Sequence, residues 1–312
     1  MNYSNQKINA PLYPLISVIV LSYNRRADLQ RTLTVLLQNS YPSLDIIVVD
    51  NASTDNSGEM VRTDFPTVKL IQLNTNIGIA GWNEGMKVAS GEYFLCLDDD
   101  SYPLADSLPK VLPSLCQTKI LSLTIITPSG QPDSPYFNTL FQQKTFIGCG
   151  VIIPRKVYDT IGGFEPLLFL YHHEIEYSIR AVEHNFSIQY LPDVFICHHR
   201  SDTNRLYLSG IDNRKAYYLA RNSILVLLFH FPVRKIFGRL LRSIVGRTSF
   251  ALYKGNFGIV VKGLYDGFNV GLQNKNKWSP VSVRTQKYFE NGRMIGSFFG
   301  DGTYAFKRPQ WL

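Results

Sequence analysis

The sequence predicts an α/β fold built on a mostly parallel, doubly wound sheet. Three observations carry that prediction. Short β-branched apolar runs alternate with stretches of helical periodicity, their connections are short, and polar clusters follow the carboxyl ends of the apolar runs.

Taken in order, residues 15–23 (LISVIVLSY) form an apolar run of the kind buried in a parallel sheet. Residues 25–38 then place Leu29, Leu33, Leu36 and Leu37 at helical spacing. A second apolar run, 46–49, ends in Asp50 and a polar Asn-Ala-Ser-Thr-Asp turn. Residues 68–73 and 93–97 read as further strands, with a helix over about 81–89 between them. Beyond Ser101 the alternation fades, and residues 128–147 read as an irregular loop. Order returns at 148–154, with a helix starting near Arg155, a break at Gly162-Gly163 and a helix over 173–185. Residues 188–198 suggest a strand pair around Pro192, and from 214 onward the chain reads as helical and basic. Ligands of such sheets bind beyond the carboxyl ends of the strands. Tyr23-Asn24, Asp50-Asn51 and Asp98–Asp100 all fall there, so three polar clusters on one sheet edge define a candidate site.

The 312 residues allow one large domain with a substantial extension. Charge is divided along the chain: residues 1–200 carry 14 Lys and Arg against 19 Asp and Glu, residues 201–312 carry 18 against 5. A basic tail on an acidic body suggests an anionic partner for the tail or, alternatively, a solvated helical extension. Cys96, Cys116, Cys149 and Cys197 form no C-x-x-C pair, which fits a reducing compartment rather than a disulfide framework. Residues 1–14 lack the apolar core of a leader peptide, so a cytoplasmic location is expected. Residues 223–231 are apolar but shorter than the about 20 residues a membrane span needs. Beyond Pro232, Val233, Ile236, Phe237, Leu240, Leu241, Ile244 and Val245 recur at helical spacing among basic residues. Such a helix can lie in a membrane interface or pack on the body of the protein.

The triple aspartate Asp98-Asp99-Asp100 is the most informative feature. Adjacent carboxylates repel, so they need a compensating cation, and hard divalent ions such as Mg²⁺ take carboxylates together with substrate phosphates. A metal there can neutralise charge on a departing diphosphate; a solvated acidic turn is the alternative. In His173-Glu174-Ile175-Glu176, two glutamates two residues apart on a helix point about 200° apart, so both cannot face one site. Arg180 follows Glu176 by four residues, the spacing of an ion pair, which makes Glu176 the structural one. A haloacid-dehalogenase-type phosphatase is disfavoured, because the cluster ends the fourth strand rather than the first. A dinucleotide-binding fold is excluded by Ser22-Tyr23-Asn24-Arg25 where G-x-G-x-x-G would stand, and a P-loop by the lack of G-K-[ST]. No recognised fold signal supports nucleic-acid binding.

The stretches SVIVLSYNR, IIVVDNASTD and NTNIGIAGWNEGMKVASGEYFLCLDDD, followed by GGFEPLLFLYHHEIEYSIRA and YYLARN, resemble family 2 glycosyltransferases, among them bacterial rhamnosyltransferase-like enzymes building polysaccharide. The resemblance implies a GT-A fold: a Rossmann-like, mostly parallel sheet with flanking helices. Residues 1–212 would be the catalytic domain, with a donor half over about 15–103 and an acceptor half over about 104–212. Residues 213–312 would form the basic, mostly helical C-terminal region. It also implies an inverting transfer from a UDP-, dTDP- or GDP-linked sugar to a glycan or lipid-linked acceptor, aided by Mg²⁺ or Mn²⁺. Contact with the inner face of the cell membrane through the basic helices is part of that expectation.

Carried over by position, Tyr23, with Asn24 and Arg25 beside it, would lie at the nucleobase, and Asp50 would bond the base or ribose or, alternatively, cap its own turn. Asn76, Gly78 and Asn83 would approach the donor, Asn83 being alternatively a plain helix residue. Asp98 and Asp99 would reach the ribose or phosphates and Asp100 the metal, with Asp98 also a candidate ligand. A late histidine, His199 or its neighbour His198, can complete the metal shell. Register with the family motif places Glu174 as the general base, which must take the acceptor hydroxyl's proton. A non-catalytic nucleotide-sugar- or glycan-binding module on the same fold is the alternative.

Overall fold

A computed structural model describes residues 13–133, 144–199, 213–232 and 256–290. The sheet has eight strands: β1 (Ile16–Ser22), β2 (Leu44–Asp50), β3 (Lys69–Gln72), β4 (Tyr93–Asp98), β5 (Ser101–Pro103), β6 (Lys119–Ile126), β7 (Val151–Pro154) and β8 (Ser187–His198). Their spatial order is β3-β2-β1-β4-β7-β6-β8-β5. The first four run parallel, as the repeated strand–helix–strand units require. Beyond β4 the sheet is mixed: β7 is antiparallel to both β4 and β6, β6 and β8 are parallel, and β5 closes the edge antiparallel to β8.

Among the described residues eight helices flank it: α1 (Arg26–Leu37), α2 (Ser57–Asp64), α3 (Gly81–Val88), α4 (Arg155–Ile161), α5 (His173–Glu183), α6 (Asn213–His230), α7 (Phe257–Gln273) and α8 (Val283–Glu290). Alternation along β1 sorts the two faces. Ile16, Val18 and Val20 pack with Leu29, Leu33 and Leu36 of α1, whereas Ile19 joins Trp82 and Met86 of α3 and Tyr177 of α5. A third core cluster unites Ile175 and Ile179 of α5 with Ile224 and Leu228 of α6 and Val260 and Leu264 of α7. The apolar run at 223–231 is thus buried inside the protein.

Residues 188–198 are one bulged strand rather than a pair. Leu123 faces Leu191 but Thr124 faces Phe195, so the extra residues around Pro192 leave the ladder. Proline has no N–H to donate, and the bulge takes it out of register. Thr124 Oγ1 donates to the freed carbonyls of Leu191 and Pro192. The amphipathic stretch 233–247 lies outside the described residues. Among the described residues no helix is long and apolar enough to cross a membrane.

Candidate active site

The site is assembled at the carboxyl ends of β1, β2 and β4. Asn24 and Ala52 take left-handed conformations (φ 54° and 66°), turning the chain sharply after β1 and β2. The two turns latch to each other: Asn24 N donates to Ser53 Oγ (2.9 Å) and Thr54 N to Asn24 Oδ1 (2.7 Å). Tyr23 is left 43% exposed beside the latch, an apolar face open to a planar ligand.

The three aspartates occupy different environments. Burial, reinforced by Asp100, pushes Asp98 up to about 6, and burial pushes Asp99 up to about 8. Asp100 is also buried, yet His198 and Arg25 outweigh that burial and hold it at about 2. Arg25 Nη1 lies 2.6 Å from Asp100 Oδ2 and 3.4 Å from Asp99 Oδ1. His198 Nε2 lies 3.1 Å from Asp100 Oδ1 while its Nδ1 lies 2.9 Å from Asp133 Oδ2. Those bonds raise His198 to about 9 against the opposing effect of burial. The compensating cations that the aspartates call for therefore include two side chains, Arg25 and His198. The imidazole on the cluster is His198, not His199; His199 contributes its main-chain N–H to Asp100 O (2.8 Å).

This donor set fits a divalent cation. Among the described residues Asp98 exchanges hydrogen bonds with Ser101 Oγ through its main chain only, and carboxylate oxygens suit a hard ion such as Mg²⁺ or Mn²⁺. Glu174 stands in the first turn of α5, with its side chain 24% exposed. Its charge helps to raise Asp98, so the two carboxylates share one electrostatic neighbourhood. Glu176 is buried on the other side of the helix. Arg180 holds both its oxygens (2.7 and 2.8 Å), and His230 Nε2 of α6 lies 3.0 Å from Oε1.

The turn leading into Glu174 is strained. Phe169, Tyr171 and His172 have φ of 59°, 64° and 63°, unusual for non-glycine residues. Asn222 of α6 holds it, its Nδ2 donating to the carbonyls of Leu168 (2.8 Å), Leu170 (2.6 Å) and Tyr171 (3.0 Å). Ile79 N donates to Phe169 O (2.9 Å), which ties the same turn to the 76–79 loop.

Other expected donor contacts are already engaged within the protein. Asp50 Oδ1 accepts from Ser53 N (2.8 Å) and Oδ2 from Gln72 Nε2 (3.1 Å), so it caps its own turn. Asn76 Oδ1 accepts from Asn51 Nδ2 (3.0 Å) and Gly78 N (2.9 Å). Gly78 has φ 64°, and a Cβ there would lie 2.0 Å from Phe169 O. The close approach that needs glycine is thus to the 169–172 turn, not to a ligand. Asn83 is engaged too: its amide pairs with the backbone of Phe164, Nδ2 donating to O and Oδ1 accepting from N, both at 2.8 Å. Asn83→Ala should therefore cost about 1–3 kcal/mol through two unpaired backbone groups, with nucleotide affinity unchanged. A urea midpoint equal to wild type would contradict that assignment.

Sequence reasoning set Asn51 at the end of β2 without its partners, Ile77 N, Asn76 and Gly78 O, through which it joins that end to the 76–78 loop. It missed Asp133 as the partner of His198, and it quoted Asn222 in YYLARN without a role. Each acts on residues tens of positions away, and no local signal carries that.

The family described as Glycosyl transferase family 2 matches residues 17–179. An uncharacterized glycosyltransferase of Haemophilus influenzae is 34% identical over 161 residues, which span 46% of this chain and 63% of that protein. The poly-beta-1,6-N-acetyl-D-glucosamine synthase of Staphylococcus epidermidis is 39% identical over 90 residues, 28% of this chain and 22% of the synthase. The chain thus spans less than two thirds of either relative's length. The mannosyltransferase PcManGT from Pyrobaculum calidifontis, solved in complex with GDP-Man and Mn²⁺, superposes with a TM-score of 0.54 at 16% identity, covering 92% of this chain and 81% of that one. That likeness shows the GT-A fold. With half its length inside the family match, the chain belongs to glycosyltransferase family 2.

Proposed function

We propose that this protein transfers a sugar from a nucleotide-diphosphate donor to a hydroxyl of a glycan or lipid-linked acceptor, with inversion at the anomeric carbon. The observation that carries the reading is the convergence of exposed Tyr23, the Asp98–Asp100 cluster and Glu174 at one edge of the sheet. Tyr23 would stack on the base, and Arg25 would turn from Asp100 towards the donor phosphates. Asp98, Asp100 and His198 would hold a divalent ion, which supplies charge neutralisation for the departing diphosphate. Glu174 takes the acceptor proton as that oxygen forms its bond to the anomeric carbon. The bond to the diphosphate oxygen breaks with its electron pair, so one displacement inverts the centre. Mn²⁺ with GDP-Man in PcManGT, and the polysaccharide named for the Staphylococcus synthase, support these classes of cofactor, donor and acceptor.

The test is a screen of UDP-, dTDP- and GDP-sugars with Mn²⁺ or Mg²⁺, scored as release of nucleoside diphosphate. Release that needs the metal and stops in Asp98→Asn is expected. Donor that binds but never turns over with any glycan would favour a binding module. Product retaining the donor's anomeric configuration would refute the single displacement.

A further inference from the structure

We propose that Asp98, Cys149 and His198 form a thiophilic metal site that takes Zn²⁺ in preference to Mn²⁺ and Mg²⁺. As an inhibitory site this rests on the function proposed above; as a binding site it does not. One ligand atom from each residue, a carboxylate oxygen, a thiol sulfur and an imidazole nitrogen, lies within 4.8 Å of the other two. Zn²⁺ bonds of about 2.0–2.3 Å in a tetrahedron place ligand atoms about 3.4–3.8 Å apart. The existing spacing therefore needs only a contraction of about 1 Å, within the reach of small side-chain rotations. Among the described residues this is the one set in which three such ligands converge.

A buried cysteine ordinarily serves as a small apolar residue, and Cys149, 4% exposed, also packs in the core. Its setting distinguishes it. It lies on a one-turn 3₁₀ segment, Gly148–Gly150, closed by a bond from Gly150 N to Ile147 O (3.1 Å). A Cβ on Gly148 would lie 2.6 Å from His173 Nε2, so the turn is fitted tightly against α5. His198 is oriented by Asp133 at Nδ1, which turns Nε2 to the cluster, where an ion would replace its 3.1 Å contact with Asp100 Oδ1. Asp98 and His198 are partly exposed and give an ion its route inward.

The ligand chemistry then selects the ion. Mg²⁺ and Mn²⁺ favour oxygen, whereas sulfur and imidazole favour Zn²⁺, which also stands above Mn²⁺ in intrinsic affinity. On binding, the Cys149 S–H bond breaks as the Zn–S bond forms, and the thiol proton leaves to solvent. His198 likewise releases a proton before its nitrogen lone pair binds, and no electron is transferred. Zn²⁺ so held would take Asp98 and His198 away from the Mn²⁺ shell, with water completing its own fourth position.

The test uses the full chain, titrated with Co²⁺ as a spectroscopic stand-in and then with Zn²⁺. Wild type should develop a thiolate-to-cobalt charge-transfer band that Zn²⁺ bleaches. Cys149→Ser and Cys149→Ala should lack the band, with unchanged circular dichroism. Their Zn²⁺-to-Mn²⁺ affinity ratio should fall by more than the roughly 10–100-fold that loss of an outer partner costs a metal site. In donor turnover, Zn²⁺ should inhibit wild type at concentrations that leave Cys149→Ser uninhibited. No band in wild type, or a band that survives both substitutions, would overturn the site. A wild type with the band but with no nucleotide release from any donor keeps the site and removes the transferase reading instead.

Discussion

Replacing Glu174 by glutamine is expected to slow sugar transfer by about 10²–10⁴-fold while donor and metal binding stay at their wild-type values. The amide keeps the shape of the side chain but cannot take the acceptor's proton, so only the step that needs a base is lost. In the proposed reaction the donor would be held at the ends of β1, β2 and β4, whereas Glu174 stands on α5, so binding and turnover should separate. Calorimetry of nucleotide binding together with single-turnover transfer measures both quantities. Glu174→Asp should also be slow, because the turn fixed by Asn222 sets a reach suited to the longer side chain. If Glu176→Gln is the inactive variant and Glu174→Gln the active one, the roles of the two glutamates are reversed.

Arg180→Met should destabilise the fold by about 3–5 kcal/mol, since it strands a buried carboxylate. Glu176 is 2% exposed, and Arg180 bonds both of its oxygens, so its loss leaves only His230 on Oε1 among the described residues; Arg180 also donates to the carbonyls of Ile161 (2.5 Å) and Gly163 (2.8 Å). Burial alone would raise Glu176, but Arg180 and His230 hold it at about 2, below its ordinary 4.5. A lowered carboxylate contributes stability that is fully present above 4.5 and lost as pH falls through about 2. The gap between wild type and Arg180→Met should accordingly be widest at neutral pH and narrow across that interval. Urea midpoints at pH 7 and pH 3 test this. Equal midpoints at pH 7, or a gap independent of pH, would show that the pair contributes little.

The donor half was legible because its signals are local. β1, β2 and β4 are built on apolar runs, β3 is the short KLIQ, and α1 follows β1 at helical spacing. β6 escaped notice although KILSLTII is apolar: it lies where the alternation stops, and its partners β7 and β8 are distant in sequence. The site was readable as three strand-end clusters, but not as contacts. Which of His198 and His199 faces inward depends on the parity of β8, and the bulge at Pro192 shifts that parity. Asn83 was read from its neighbours at 76–78, whereas its partner Phe164 lies 81 residues away. Arg25 stood in the motif by position, yet its bond to Asp100 spans 75 residues and has no local mark.

The Asn222 staple has a consequence for the order in which the protein is made. Its three acceptors lie 54, 52 and 51 residues upstream, so the left-handed turn before Glu174 is held by a side chain synthesised well after it. Closing a loop of that span costs entropy before any of the three bonds can form, and contacts of large sequence separation tend to form late. The strand-end clusters can mature with the sheet, but the turn that precedes Glu174 waits for α6 to dock. Donor-binding competence should thus precede catalytic competence as the nascent chain folds, with residue 222 marking the boundary between them.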